Sequence, residues 1–276
     1  MRKINYPLIV SDFDGTLVRE DGSISTRNKE AIEEYIAAGG VFVISTGRLP
    51  SGILSRANEL GLKGKICCCQ GAIILDIQTE EVIFEGRISL ESTVSVCEKM
   101  EELGLHIQVY DLWDYYCNMD DEPLRLYEAI TKTKATLVLD RPLSSLLKEK
   151  GIGAYKLLAM IEPEKSDALL EQLAAENFVG CTVTKSADFL VEVVNKNYSK
   201  GTAISFLAEH YGIPADKVIA VGDQCNDIEM IEKAGLGIAV ANADTRLKDK
   251  ADYVCPYTNE EDAIAKIIEE FGFCKA

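Results

Sequence analysis

The sequence predicts an α/β protein: a doubly wound, Rossmann-like parallel sheet interrupted by an inserted α+β domain. Three observations predict it. Short, continuous apolar runs alternate with helical stretches at both ends of the chain, the pattern of parallel strands covered on both faces. The middle of the chain instead reads helix–strand–strand, twice. After that segment the strand–helix alternation resumes, as expected of one domain opened to admit another.

In order, residues 7–11 are a short apolar strand. Glu20-Asp21-Gly22-Ser23 then lies between Leu17-Val18 and Ile24, which predicts a hairpin. A helix follows, with Thr26 as candidate N-cap, Ala31, Ile32, Tyr35 and Ile36 on one face, and Gly39-Gly40 as the stop. Residues 41–45 are the next strand, 50–60 a helix and 65–69 a third strand, completing a βαβαβ unit. The pattern changes after Asp76. Residues 90–103, 106–110 and 115–118 read as helix, strand, strand, and 163–176, 181–184 and 189–194 repeat that order. Between them stand helical stretches at 124–131 and 143–150 and a strand at 155–161. From Lys200 the alternation returns, with a helix at 201–211, a strand at 218–221, a helix at 228–234, a strand at 237–240 and a last helix at 260–271. The expected division is 1–84 and 188–276 for the α/β core and 85–187 for the inserted domain, with crossings near Glu85 and Ala187.

A chain of 276 residues suits about two domains, and its 47% hydrophobic and 27% charged content is that of a folded protein. The balance of 29 basic and 45 acidic residues, net −16, argues against a nucleic-acid partner, which needs a basic face, and against an anionic membrane surface. An anionic substrate stays open, because a bound divalent cation inverts the charge of a carboxylate-lined pocket. No apolar stretch reaches the length of a membrane-spanning helix. The run after the amino terminus is cut short by Asp12 and Asp14, so no signal peptide is expected. The nine cysteines lack zinc-site spacing, and Cys67-Cys68-Cys69 sit inside an apolar run, as buried thiols of a reducing compartment do. The expectation is a cytoplasmic protein; composition leaves its oligomeric state open.

Three polar constellations follow strands, at the carboxyl ends where open α/β sheets bind ligands. Asp12-Phe13-Asp14-Gly15-Thr16-Leu17 follows the first. Side chains two apart on an extended chain share a side, so Asp12 and Asp14 can face one pocket, and Gly15 allows a sharp turn and close approach. Two carboxylates in different environments can divide the labour of nucleophile and acid/base. The plain alternative is an Asx turn closing a strand. Ser45-Thr46-Gly47-Arg48 follows the second strand. Its hydroxyl, glycine and guanidinium suit a phosphoryl group, although a helix N-cap beside a solvated arginine would look the same. Gly222-Asp223-Gln224-Cys225-Asn226-Asp227 follows the 218–221 strand. Hard oxygen ligands there suit Mg²⁺, while acids at a helix start are also favoured by the dipole. Lys200, at a helix start, gains meaning from this company.

Taken in this order, the Asp12–Leu17 segment, Thr46-Gly47-Arg48, Lys200 and the Asp223–Asp227 segment resemble the four motifs of the haloacid dehalogenase-like superfamily. The large insertion between the second and third resembles the cap of its Cof-type sugar-phosphatase branch. The resemblance implies a magnesium-dependent phosphatase acting on a small phosphorylated metabolite, a sugar phosphate or cofactor phosphate, through an aspartyl-phosphate. It implies Asp12 as nucleophile and Asp14 as the acid/base. Thr46 and Lys200 would hold phosphoryl oxygens, with Gly47, Arg48 and Asn226 on the substrate side. Mg²⁺ would sit on Asp12, the Asp14 backbone carbonyl and Asp223, with Asp227 supporting it from further out. The cap would close over the site and set specificity.

One position departs from the branch. The third strand runs into Cys69-Gln70-Gly71-Ala72, where the branch commonly has Asn-Gly-Ala, so Gln70 carries the amide on a longer stem. Asn242-Ala243 again resembles the branch and reads as structural. His106 and His210 lie outside the motifs and read as neutral or exposed residues without a catalytic role, which disfavours histidine chemistry. Trp113, Tyr115, Tyr116 and Lys156, in the inserted domain, read first as packing or solvated residues. Three rivals stand beside this reading. A phosphosugar mutase of similar cap type would use the same Asp12 and Asp14 but return the phosphate to another hydroxyl. A non-enzymatic phospho-acceptor module would lack both the Asp-x-Asp acid and the insertion. A catalytically silent relative serving as a binding protein is disfavoured by the intact set of four motifs.

Overall fold

The structure, a computed structural model, describes residues 2–275. Strands β1 (Leu8–Asp12), β2 (Val41–Ser45), β3 (Lys65–Cys68), β4 (Ile73–Asp76) and β5 (Val82–Glu85) come first. Then come β6 (His106–Tyr110), β7 (Tyr115–Cys117), β8 (Thr136–Leu137), β9 (Lys156–Met160), β10 (Cys181–Ala187) and β11 (Leu190–Asn195). The last are β12 (Val218–Gly222), β13 (Leu236–Ala239) and β14 (Tyr253–Val254). They form an eight-stranded sheet in the order β14-β13-β12-β1-β2-β3-β4-β5 and a six-stranded sheet in the order β10-β11-β9-β6-β7-β8.

The large sheet is parallel from β14 to β3 and turns antiparallel at the β3–β4 pair. Every residue of β1 and β12 is buried, as befits strands covered on both faces. Helix α1 (Thr26–Ala37) starts at Ser25, whose side chain accepts from the Asn28 N–H, so the cap lies one residue before the expected Thr26. Helix α2 (Pro50–Glu59) follows β2. The strand order reverses about β1 and β12, which places the carboxyl ends of β1, β2 and β12 at one topological switch point.

Four expectations need correction. The Asp21-Gly22 turn forms, with Gly22 N–H donating to Arg19 O and Arg19 N–H to Ser23 O, each at 2.9 Å, but no strands flank it. The third strand stops at Cys68, because Cys69 and Gln70 take left-handed φ of 48° and 59°. The expected last helix is broken: Asp262, at φ 64°, ends a 3₁₀ turn (Asn259–Glu261), a short helix (Ala263–Ile267) follows, and a π turn (Ile268–Gly272) closes it. The exit from the insertion lies beyond Ala187, because Ala187 and Leu190 pair across a two-residue hairpin loop and β11 belongs to the smaller sheet.

Two compact units result: one holds residues up to Thr46, Arg56–Ile83 and from Ser199 onward, the other Gly47–Ser55 and Phe84–Tyr198. In the second, α3 (Leu90–Glu102) with β6 and β7, and α6 (Pro163–Ala175) with β10 and β11, are the repeated helix–strand–strand groups, set on either side of β9. Their core gathers Val96, Met100, Leu157, Leu173, Val191 and Val193. Helices α4 (Glu122–Thr131) and α5 (Leu143–Lys150) fill the connection from β7 to β9. In the first unit, α7 (Lys200–Tyr211) and α8 (Ile228–Lys233) flank β12.

Candidate active site

The site is made where β1 and β12 end and α7 begins. Asp12 is the last residue of β1 and is buried. Lys200 is the first residue of α7, held by a capping box in which Ser199 and Thr202 exchange hydrogen bonds. Its ammonium, 1% exposed, donates to Asp12 Oδ1 and to Asp227 Oδ1, the latter at 2.6 Å. Asp227 is fully buried, and its Oδ2 accepts from the backbone N–H groups of Asp223 and Gln224 at 3.0 and 3.1 Å. Asp223 Oδ1 accepts from Thr16 Oγ1 at 2.8 Å, and its Oδ2 from Gln224 Nε2 at 3.2 Å. Gly15, at φ 80°, lies so close that a Cβ there would stand 2.5 Å from Asp223 Oδ2. No other residue fits that turn.

Asp12, Asp223 and Asp227 bring carboxylate oxygens within 4.8 Å of one another, the one such acidic group among the described residues. One buried ammonium faces three buried carboxylates, so the pocket carries excess negative charge. Burial would lower Lys200, but Asp12 and Asp227 override it and hold the amine well above its ordinary value. Burial pushes Asp12 up; Lys200 pulls it back, and Asp227 and Asp223 push it up again. Asp223 is raised to about 6 by burial and then by the Asp227 charge. Hard carboxylate oxygens short of positive charge, those of Asp12 and Asp223 foremost, are a fitting set for a small divalent cation.

Asp14 is exposed at the turn after Asp12, and its carboxylate stands outside the buried group. Thr46 is buried; its N–H donates to Cys67 O at 2.9 Å and its carbonyl accepts from Gln70 N–H at 3.1 Å. Asn226 Nδ2 donates to Gln70 Oε1 at 3.0 Å. Gly47 and Arg48 group with the second unit. There Gly47 O accepts from Lys156 Nζ at 3.1 Å, and Arg48 Nη1 donates to the carbonyls of Ile130 and Thr131, both at 3.4 Å. The motif order therefore brings together Asp12, Lys200, Asp223 and Asp227, with Thr46 and Asn226 linked through Gln70.

Such an array can hold an anionic ester beside an anionic nucleophile, with cationic charge between them. A model of haloacid dehalogenase-like hydrolases matches residues 9–268. The chain belongs to this family. As a Cof-type member it is a phosphoric monoester hydrolase. A Haemophilus influenzae protein provisionally named a phosphatase is 30% identical over 270 residues, 96% of this chain and 98% of its own. Bacillus subtilis YwtE, a 5-amino-6-(5-phospho-D-ribitylamino)uracil phosphatase, is 26% identical over 95% of this chain and 96% of its own. The crystal structure of a haloacid dehalogenase-like hydrolase from Bacteroides thetaiotaomicron matches with a TM-score of 0.83 at 30% identity, over 96% of this chain and 98% of that one.

Thr16 and Gln224, both donors to Asp223, each lie inside a motif, but nothing in the sequence marks them as functional. Only the folded chain shows what they touch. Asn242 proves structural, its Nδ2 donating to Gly15 O and its Oδ1 accepting from Asn259 N–H. In the second unit His106 is buried, with Nδ1 2.8 Å from Asp121 Oδ2, while His210 is exposed. Lys156 is neither solvated nor plain packing: it is 2% exposed and paired at 2.7 Å with Glu192, itself 1% exposed. Tyr115 is a packing residue, stacked on Tyr110 with ring centroids 5.2 Å apart.

Proposed function

We propose that this hydrolase removes phosphate from a small phosphorylated metabolite, in the presence of Mg²⁺, through an aspartyl-phosphate on Asp12. The convergence of Asp12, Lys200, Asp223 and Asp227 in one buried pocket carries the reading. Asp12 attacks phosphorus. Lys200, held charged by Asp12 and Asp227, offsets the charge gathering on the transferring oxygens. Asp14, exposed at the turn, protonates the departing alcohol and then takes a proton from the water that cleaves the acyl phosphate. Thr46 presents its hydroxyl to a phosphoryl oxygen, with Gly47, Arg48 and Asn226 on the substrate side.

Asp12, Asp223 and the Asp14 backbone carbonyl would hold Mg²⁺, which when bound supplies the positive charge that lets a carboxylate approach a phosphate dianion. Asp227 already spends both oxygens on Lys200 and on backbone N–H groups. Its place is therefore to anchor the lysine and the metal-binding loop. The YwtE likeness favours a sugar or polyol phosphate, or a cofactor phosphate of similar build. The test is phosphate release from a panel of such metabolites with and without Mg²⁺, comparing the wild type with Asp12→Asn. Release that needs Mg²⁺ and disappears in Asp12→Asn is expected; undiminished release by that variant refutes the nucleophile.

A further inference from the structure

The turn after β3 is strained in a way its length does not require. Cys69, Gln70 and Gly71 take φ of 48°, 59° and 97° in succession, and all three are buried. Left-handed backbone at two consecutive non-glycine residues persists only where the surroundings enforce it, and it gathers at functional sites.

What the turn touches gives the reason. Gln70 N–H donates to Thr46 O at 3.1 Å. A Cβ on Gly71 would stand 2.1 Å from Ser199 O and 2.9 Å from Lys200 N, so the turn lies hard against the start of α7. Gln70 Oε1 accepts from Asn226 Nδ2 at 3.0 Å, and Asn226 lies between Asp223 and Asp227 in sequence. One three-residue turn thus reaches the segments of Thr46, Lys200 and Asn226. Asn226 Oδ1 is meanwhile buried without a hydrogen-bond partner, an acceptor left for a donor that a ligand or water brings.

From this geometry we infer that Gln70 is a positioning residue for phosphoryl transfer. Its backbone ties down the Thr46 loop, and its side-chain carbonyl fixes the Asn226 amide so that Oδ1 stays the open acceptor. The stem length of glutamine is what makes the second contact. The inference rests on the proposed reading of the site, because it assigns Gln70 the task of holding that site's loops in register.

Gln70→Asn tests it. Asparagine tolerates left-handed φ, so the backbone is kept, but its amide falls one bond length short of Asn226. The expected result is a fall in kcat of about 10- to 100-fold, the usual cost of misplacing a group by about an ångström, with KM changed less than about threefold. The melting temperature falls by only about 2–6 °C, because one buried neutral hydrogen bond is worth about 1–1.5 kcal/mol, so the variant stays folded at the assay temperature and the loss of kcat is not a loss of fold. Asn226→Ala costs a similar factor, and the double variant is no worse than the poorer single one, as for two groups acting as one unit. Wild-type kcat in Gln70→Asn, or independent multiplying losses in the double variant, overturns the inference while Asp12→Asn remains inactive. Full activity in Asp12→Asn instead removes the reading of the site, and the inference with it.

Discussion

Replacing Asp223 by asparagine should stabilise the metal-free protein near neutral pH. Asp223 is 4% exposed, and its carboxyl is raised from 3.8 to about 6, first by burial and then by Asp227. The sign follows from proton binding. Between about pH 4 and 6 the folded state holds this proton and the unfolded state has lost it, so stability falls as pH rises through that window and the cost is complete above it. A shift of about two units is about 3 kcal/mol. The amide avoids that charge and still accepts from Thr16 at Oδ1, but its Nδ2 opposes Gln224 Nε2, which returns about 1 kcal/mol. The net gain is about 2 kcal/mol, or about 4–8 °C in melting temperature for a chain of this size. Thermal melts in chelator should show the gain at about pH 7.5 and its loss at about pH 4. Millimolar Mg²⁺ should then stabilise the wild type and leave Asp223→Asn unmoved. A variant less stable than wild type in chelator at neutral pH, with a difference independent of pH, would refute the electrostatic reasoning.

Asp14→Asn should lower kcat by about 10²–10⁴-fold, the worth of a positioned acid/base, while Mg²⁺ affinity measured by calorimetry stays unchanged because its carboxylate lies outside the buried acid group. In the second unit, Lys156→Met strands the buried Glu192 carboxylate and should cost about 3–5 kcal/mol in urea denaturation. Adding Glu192→Leu should recover most of that loss, since a pair of apolar residues needs no counter-charge.

The local parts of this molecule are written in local sequence. The apolar runs of β1 and β2, the switch to helix–strand–strand after Asp76, and the Asp-x-Asp-Gly-Thr and Gly-Asp-x-x-Asn-Asp segments each report on their own few residues. What escaped is set by partners far along the chain. Lys200 and Asp12 lie 188 residues apart, and Gln70 and Asn226 lie 156 apart, so neither the charge of the pocket nor the purpose of the strained turn can be read from neighbours. Backbone sign was hidden too. Asp262 at φ 64° breaks a stretch whose composition reads as one helix, and Cys69 ends a strand that its apolar neighbours would extend. The crossing expected near Ala187 falls within the second helix–strand–strand group, because β10 turns directly into β11 through Asp188-Phe189 and β11 pairs with β10 and β9 in the smaller sheet.

The central claim is a covalent bond between Asp12 and phosphorus. It is tested most directly by quenching the enzyme in acid during turnover of a phosphorylated substrate, reducing it with borohydride, and sequencing the peptides by mass spectrometry. An acyl phosphate is reduced to the alcohol, so homoserine at position 12, absent without substrate and absent in Asp12→Asn, is the predicted result. An unmodified Asp12 in an enzyme that is releasing phosphate at full rate, with the phosphoryl group trapped on another residue, would contradict the account.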